Sequence, residues 1–147
     1  MKLNESFVLL VEDREEDVEL TLRAFGKAGV SNRVEVVRDG IEAIEFLEGS
    51  GSFPESNRYE APAMMLVDIN LPRLNGIQFV RRVRNMDRLR YVPVIMVTSS
   101  NEPLDLRASY DSGANSFVRK PVSTADFSSA ISRICGYWLE INETPDP

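Results

Sequence analysis

Five short apolar runs, each ending at a polar or charged residue and each followed by a segment of helical periodicity, constrain this chain more than any other feature. The central run is Met64-Met65-Leu66-Val67, which passes into Asp68-Ile69-Asn70 and then into Leu71-Pro72-Arg73-Leu74-Asn75-Gly76. A run this short, apolar throughout and closed by turn residues, suits a strand covered on both faces. Phe7-Val8-Leu9-Leu10-Val11 ends likewise at Glu12-Asp13, and Val34-Glu35-Val36-Val37 leads to the Asp39-Gly40 turn. Val94-Ile95-Met96-Val97 ends at Thr98-Ser99-Ser100-Asn101, and Ser116-Phe117-Val118-Arg119 at Lys120-Pro121.

The intervening segments carry apolar residues three and four apart. Val18, Leu22 and Phe25, then Ile41, Ile44 and Leu47, then Ile77, Val80 and Val83 predict three helices, the third with Asn75 as its N-cap. A fourth, near Leu104 to Asp111, is weakly apolar; a fifth runs from about Ser123 to Tyr137 with Phe127, Ala130, Ile131 and Ile134 inward. Five β-α units in alternation specify a doubly wound five-stranded parallel sheet in three layers, α/β/α. Glu48 to Ala63 has no period and is expected to be an exposed loop, longer than the usual connection of about 2–6 residues.

Composition narrows the chemistry. The 147 residues suit one domain, with 43% hydrophobic and 27% charged residues and a net charge of −6, a balance that disfavours nucleic-acid binding. No apolar run reaches membrane-spanning length, and the Met1-Lys2-Leu3-Asn4-Glu5 start lacks a signal-peptide core, so no membrane association and a cytoplasmic location are expected. Cys135 is the only cysteine and there is no histidine. That excludes Ser-His-Asp and Cys-His catalysis and any zinc site built from His and Cys.

In a sheet of this kind, ligands bind beyond the carboxyl ends of the strands. There the first strand delivers Glu12 and Asp13, the third Asp68, the fourth Thr98 and the fifth Lys120. Each has an ordinary structural reading: Asp13 and Thr98 as helix caps, Asp68 as a loop residue, Lys120 as a solvated charge. Their coincidence on one edge favours a site. Clustered carboxylates repel unless a cation lies among them, and oxygen ligands without His or Cys suit Mg²⁺. Asp68 is then the nucleophile that would accept a phosphoryl group as an acyl phosphate.

The motifs LLVED at Leu9 to Asp13, LVDINLPRLNG at Leu66 to Gly76, VTSS at Val97 to Ser100 and FVRKP at Phe117 to Pro121 resemble, in this order, the receiver domains of bacterial two-component response regulators of the chemotaxis-regulator type. The resemblance implies the flavodoxin-like (β/α)5 receiver fold and a single receiver domain over 1–147, with a core of about 6–138 and an extension over 139–147. It implies Asp68 as phosphoacceptor and Mg²⁺ held by Glu12, Asp13, Asp68 and the backbone carbonyl of Asn70. Thr98 and Lys120 would contact the phosphoryl group, with Thr98 as the switch hydroxyl and Phe117 as the aromatic that follows activation. It further implies a cis Lys120–Pro121 bond, and a protein that assists its own phosphorylation and dephosphorylation rather than an enzyme acting on other substrates. The partner is expected to be a histidine kinase. The VEDREEDVEL start, the long loop and the GYWLEI end resemble the subgroup that partners bacterial phytochromes. A haloacid-dehalogenase-type phosphatase needs a second Asp where Asn70 stands, and a flavodoxin-like cofactor binder needs a Ser/Thr/Gly-rich loop where Glu12 to Glu16 stand. The remaining alternative is a pseudo-receiver that never takes phosphate and serves as an interaction module. Tyr137, Trp138, Leu139 and Ile141 extend an apolar pattern past the last helix, and a homodimer through that helix and extension is expected.

Overall fold

The computed structural model describes residues 6–146, which leaves the Met1–Glu5 start outside the described residues. The strands are β1 (Val8–Val11), β2 (Val34–Val37), β3 (Met64–Val67), β4 (Val94–Thr98) and β5 (Ser116–Arg119). The helices are α1 (Glu15–Lys27), α2 (Gly40–Glu48), α3 (Gly76–Arg84), α4 (Pro103–Ser112) and α5 (Thr124–Trp138). All strand pairs are parallel, in the order β2-β1-β3-β4-β5, as the alternation of units required.

Strand alternation divides the core into two layers. Leu9 and Val11 of β1, Met65 and Val67 of β3, and Val94 and Met96 of β4 share a cluster with Ile44 and Leu47 of α2 and Phe79, Val80 and Val83 of α3. Val8, Leu10, Met64, Leu66, Ile95 and Val97 face the opposite side, with Val18 and Phe25 of α1 and Phe127, Ile131 and Ile134 of α5. Carried one residue further, the same alternation aims the residue after β1, the residue after β3 and the residue after β5 toward α1 and α5. Those residues are Glu12, Asp68 and Lys120.

Local chemistry accounts for the helix ends. Asn75 caps α3 in a full capping box with Gln78, and Asp39 caps α2 by accepting from the Glu42 amide at 2.7 Å. α4 has weak periodicity because its buried positions are Ser109 and Ser112, whose hydroxyls donate to the Asp105 and Ser109 carbonyls, while Leu104 and Tyr110 stand exposed.

Three expectations need correction. The Glu48–Ala63 segment is not a plain loop: it contains a short 3-10 helix, Glu55–Tyr59, and is anchored to the body. Phe53 meets Phe46 edge-on at 5.2 Å, and Arg88 donates to the carbonyls of Glu60 and Leu47. Among the described residues no peptide bond is cis, so Lys120–Pro121 is trans, the ordinary preference of an X–Pro bond. Trp138 and Leu139 pack against their own core, so that of the apolar residues Tyr137, Trp138, Leu139 and Ile141 two, Tyr137 and Ile141, stand exposed.

Arg84, at the end of α3, ties that helix to the segment before β4 and to the segment between α4 and β5. Its guanidinium donates to the carbonyls of Gly113 (2.9 Å), Leu89 (3.0 Å), Arg90 (3.1 Å) and Val92 (2.9 Å), and to Asn115 Oδ1 (2.8 Å). Arg84→Met keeps the stem but strands these acceptors, so a loss of about 2–4 kcal/mol in urea unfolding is expected. A change below about 0.5 kcal/mol, the range of an ordinary surface substitution, would show the clamp to be energetically idle.

Candidate functional site

The site is assembled by backbone bonds that continue the sheet past its strands. The Glu12 amide donates to the Val37 carbonyl (3.0 Å), Asp68 to Val11 (3.0 Å) and Lys120 to Thr98 (2.7 Å), which sets the residues after β1, β3 and β5 side by side. Gly76 lets the start of α3 lie against this edge, since a Cβ there would stand 2.1 Å from the Asp68 carbonyl oxygen.

At the centre is the ammonium of Lys120, which donates to Glu12 Oε2 at 2.7 Å, Asp17 Oδ2 at 2.8 Å and Asp68 Oδ2 at 2.8 Å. All three of its N–H groups are used. The Lys120 side chain is 9% exposed and those of Glu12 and Asp68 are 4% and 3% exposed, so the solvated-charge reading of the lysine does not hold. Asp68 Oδ1 accepts from the Asn70 amide at 3.2 Å. Thr98 is fully buried and its hydroxyl accepts from the Ser100 amide at 3.2 Å, a local turn rather than a cap on α4. Phe117 is half-buried against the cluster on the α3 side.

The charges are unequal in their response. Burial pushes the Glu12 carboxyl up, and the neighbouring Asp68 charge adds to this, so that despite the Lys120 hydrogen bond it titrates at about 7. Burial acts on Asp68 in the same direction, but the hydrogen bond and charge of Lys120, followed by the Thr98 hydroxyl and the Asn70 amide, outweigh it and hold the carboxyl below its ordinary range. Burial alone would lower Lys120; its bonds to Asp17, Asp68 and Glu12 raise it instead. At neutral pH Asp68 is therefore an ionised, buried carboxylate beside a permanent cation.

Two features depart from the sequence reading. Asp13 is exposed, outside the group on Lys120, and among the described residues no three acidic side chains are laid out as a metal cage. The cation among the acids is the lysine's own. Asp17, which the sequence pattern did not single out, supplies the third carboxylate. The available signal was its spacing: Asp17, Thr21 and Ala24 lie on one stripe of α1, and Thr21 and Ala24 are buried.

A parallel (βα)5 sheet that gathers an aspartate, a second acid, a hydroxyl and a lysine at the ends of β3, β1, β4 and β5 is the architecture of a phosphorelay receiver. The model of the response regulator receiver domain matches residues 8–132, and the chain belongs to that family. It is 36% identical over 143 residues to the probable methanogenesis regulatory protein FilR2 of Methanothrix harundinacea, a match covering 95% of this chain and 88% of that protein. Among solved structures it resembles the phosphorylated cyanobacterial phytochrome response regulator RcpA, with a TM-score of 0.88 at 27% identity over 97% of this chain and 99% of that one. The Mn²⁺-bound form of response regulator Rcp1 gives 0.85 at 27% identity, covering 95% and 99%. The bacteriophytochrome response regulator AtBRR gives 0.73 at 42% identity, also covering 95% and 99%. Among the described residues no helix is long and apolar enough to cross a membrane.

The raised Glu12 carboxyl has a consequence for stability. The unfolded chain releases this proton near pH 4.5, whereas the folded protein keeps it to about pH 7, so the folded state binds more protons across that interval and stability falls as pH rises through it. Glu12→Gln removes the effect. Thermal unfolding in chelator is expected to shift in the variant's favour between pH 4 and 7, by about 1–3 kcal/mol, and to change little above. A difference between variant and wild type that is flat from pH 4 to 8 would contradict it.

Proposed function

We propose that Asp68 accepts a phosphoryl group from the phosphohistidine of a partner histidine kinase, and that the modified chain signals by changing its protein contacts. The observation that carries this is the state of Asp68: buried, ionised and in contact with Lys120 at the carboxyl edge of the sheet. One Asp68 oxygen forms the new bond to phosphorus as the bond from phosphorus to the histidine nitrogen breaks, the nitrogen keeping the electron pair. Lys120 neutralises negative charge as the phosphoryl group approaches, and the Asn70 amide orients the carboxylate.

The donors at this edge, carboxylate and carbonyl oxygens without sulfur or imidazole, fit Mg²⁺, which Glu12, Asp13, Asp68 and the Asn70 carbonyl would hold. When bound it supplies positive charge that lets a phosphoryl group approach two acids. The existence of a Mn²⁺-bound form of the similar response regulator Rcp1 supports a divalent ion in this protein. Phosphorylation adds about −1.5 to −2 charges beside Thr98, whose hydroxyl would turn toward the new acceptor and free space for Phe117. The likeness to RcpA and AtBRR supports a bacterial phytochrome as the kinase.

Intact mass after incubation with a small phosphodonor and Mg²⁺ tests the assignment. One phosphoryl group is expected on wild type and none on Asp68→Asn, with uptake abolished by chelator. Equal uptake by both proteins would move the acceptor elsewhere, and no uptake by either would favour the phosphate-independent interaction module.

The proposed homodimer through α5 and its extension would rest on Tyr137 and Ile141, which stand exposed at the end of α5 and just beyond it, because Trp138 and Leu139 pack against their own core. Sedimentation of wild type is expected to show a dimer that Tyr137→Ser with Ile141→Ser weakens, and a monomeric wild type at high micromolar concentration, with and without phosphodonor, would refute it.

A further inference from the structure

We infer that Asp17 is a positioning residue that holds the Lys120 ammonium over Asp68 when Glu12 and Asp68 are engaged elsewhere, and so sets the rate of phosphoryl uptake. The inference rests on the phosphoacceptor reading of Asp68.

Lys120 has three N–H donors and three carboxylate acceptors, at 2.7 to 2.8 Å. Two of those acceptors, Glu12 and Asp68, are also the buried acids proposed to hold Mg²⁺ and receive the phosphoryl group. An oxygen committed to a cation or to phosphorus is a weaker acceptor for the lysine. Asp17 alone has neither duty. It is therefore the contact that persists, and a flexible four-carbon stem needs such a contact to stay aimed while its other N–H groups turn toward a phosphoryl oxygen.

The chain builds Asp17 for this task. It lies in the first turn of α1, where the helix dipole favours a negative charge, yet α1 starts at Glu15 without any side-chain cap, so its carboxylate is not spent on the helix terminus. Its amide donates to the Arg14 carbonyl at 3.0 Å, and its own carbonyl accepts from the buried Thr21 hydroxyl at 2.7 Å, which fixes the turn. Among the described residues the only other cation paired with the carboxylate is Arg14, at 3.9 Å on an exposed side chain. The same geometry makes Asp17 a regulator of metal binding, since it holds the ammonium in place without calling on the oxygens for which Mg²⁺ competes.

The test is a double-mutant cycle with Asp17→Asn and Lys120→Met, read in two ways. Phosphorylation of Asp68 by acetyl phosphate gives a maximal rate and a half-saturating donor concentration; calorimetric titration with Mg²⁺ alone gives an affinity without any reaction. Asp17→Asn is expected to lower the maximal rate by about tenfold while half-saturation stays within about twofold, as misaiming of one reacting group should. It is expected to weaken Mg²⁺ binding by about tenfold, the size of an outer-shell effect. In the Lys120→Met background both effects should shrink to less than about twofold, and Asp17→Glu, which keeps the charge, should recover most of the rate. Wild-type rate and affinity in Asp17→Asn would overturn the inference, as would losses of equal size in both backgrounds, because the residue would then act only through fold or overall charge. A wild type that takes up no phosphoryl group would overturn the phosphoacceptor reading instead, and the Mg²⁺ titration would still decide whether Asp17 acts through Lys120.

Discussion

The contact of one ammonium with three carboxylates is the constraint on which the site depends. Lys120 comes from the end of β5, Glu12 from β1, Asp68 from β3 and Asp17 from α1, so a single nitrogen ties together elements spread over more than a hundred positions of chain. Buried charges are tolerable only when paired and hydrogen-bonded. Here one positive charge faces up to three negative ones, and part of the imbalance is relieved by Glu12, which keeps its proton to about pH 7. The pocket is still short of positive charge, and that deficit is the physical basis on which a divalent cation and a transferred phosphoryl group are proposed to act there.

The loop after Asp68 is held from the far side. Arg73, the one non-glycine residue with left-handed backbone among the described residues (φ 64°), reaches both carboxylate oxygens of Asp39 at 2.9 and 3.0 Å. Gly40 admits that loop against α2, where a Cβ would lie 2.0 Å from the Leu74 carbonyl oxygen. The Asp39-Gly40 pair thus caps a helix and braces the segment that carries Asn70. The long connection into β3 is braced too, by Phe53 on Phe46 and by Arg88, so it acts as part of the wall rather than as a free insertion.

α4 is built on the opposite principle. Its inward residues are two serines that bond to their own helix, and its larger apolar groups, Leu104 and Tyr110, are exposed. α3 next to it buries Phe79, Val80 and Val83 completely. An element with little apolar burial is inexpensive to shift, and it sits between Thr98 and Phe117, the residues proposed to register the modification.

Much of this was legible in the sequence. Apolar runs of four or five residues, helical stripes and the polar residues that close them determined the five β-α units, the parallel sheet and the edge on which Glu12, Asp68, Thr98 and Lys120 meet, because strand and helix periods are local properties of the chain. The Asn75 cap was legible for the same reason. The tertiary structure alone decided which charges touch. That Lys120 is buried, that Asp17 joins Glu12 and Asp68 while Asp13 faces solvent, and that Trp138 and Leu139 fold onto their own core all depend on how helices settle against the sheet. Whether an acidic residue in a helix turn faces solvent or a lysine from the other end of the chain is settled by packing and by the pairing of buried charge, neither of which is written in the local pattern.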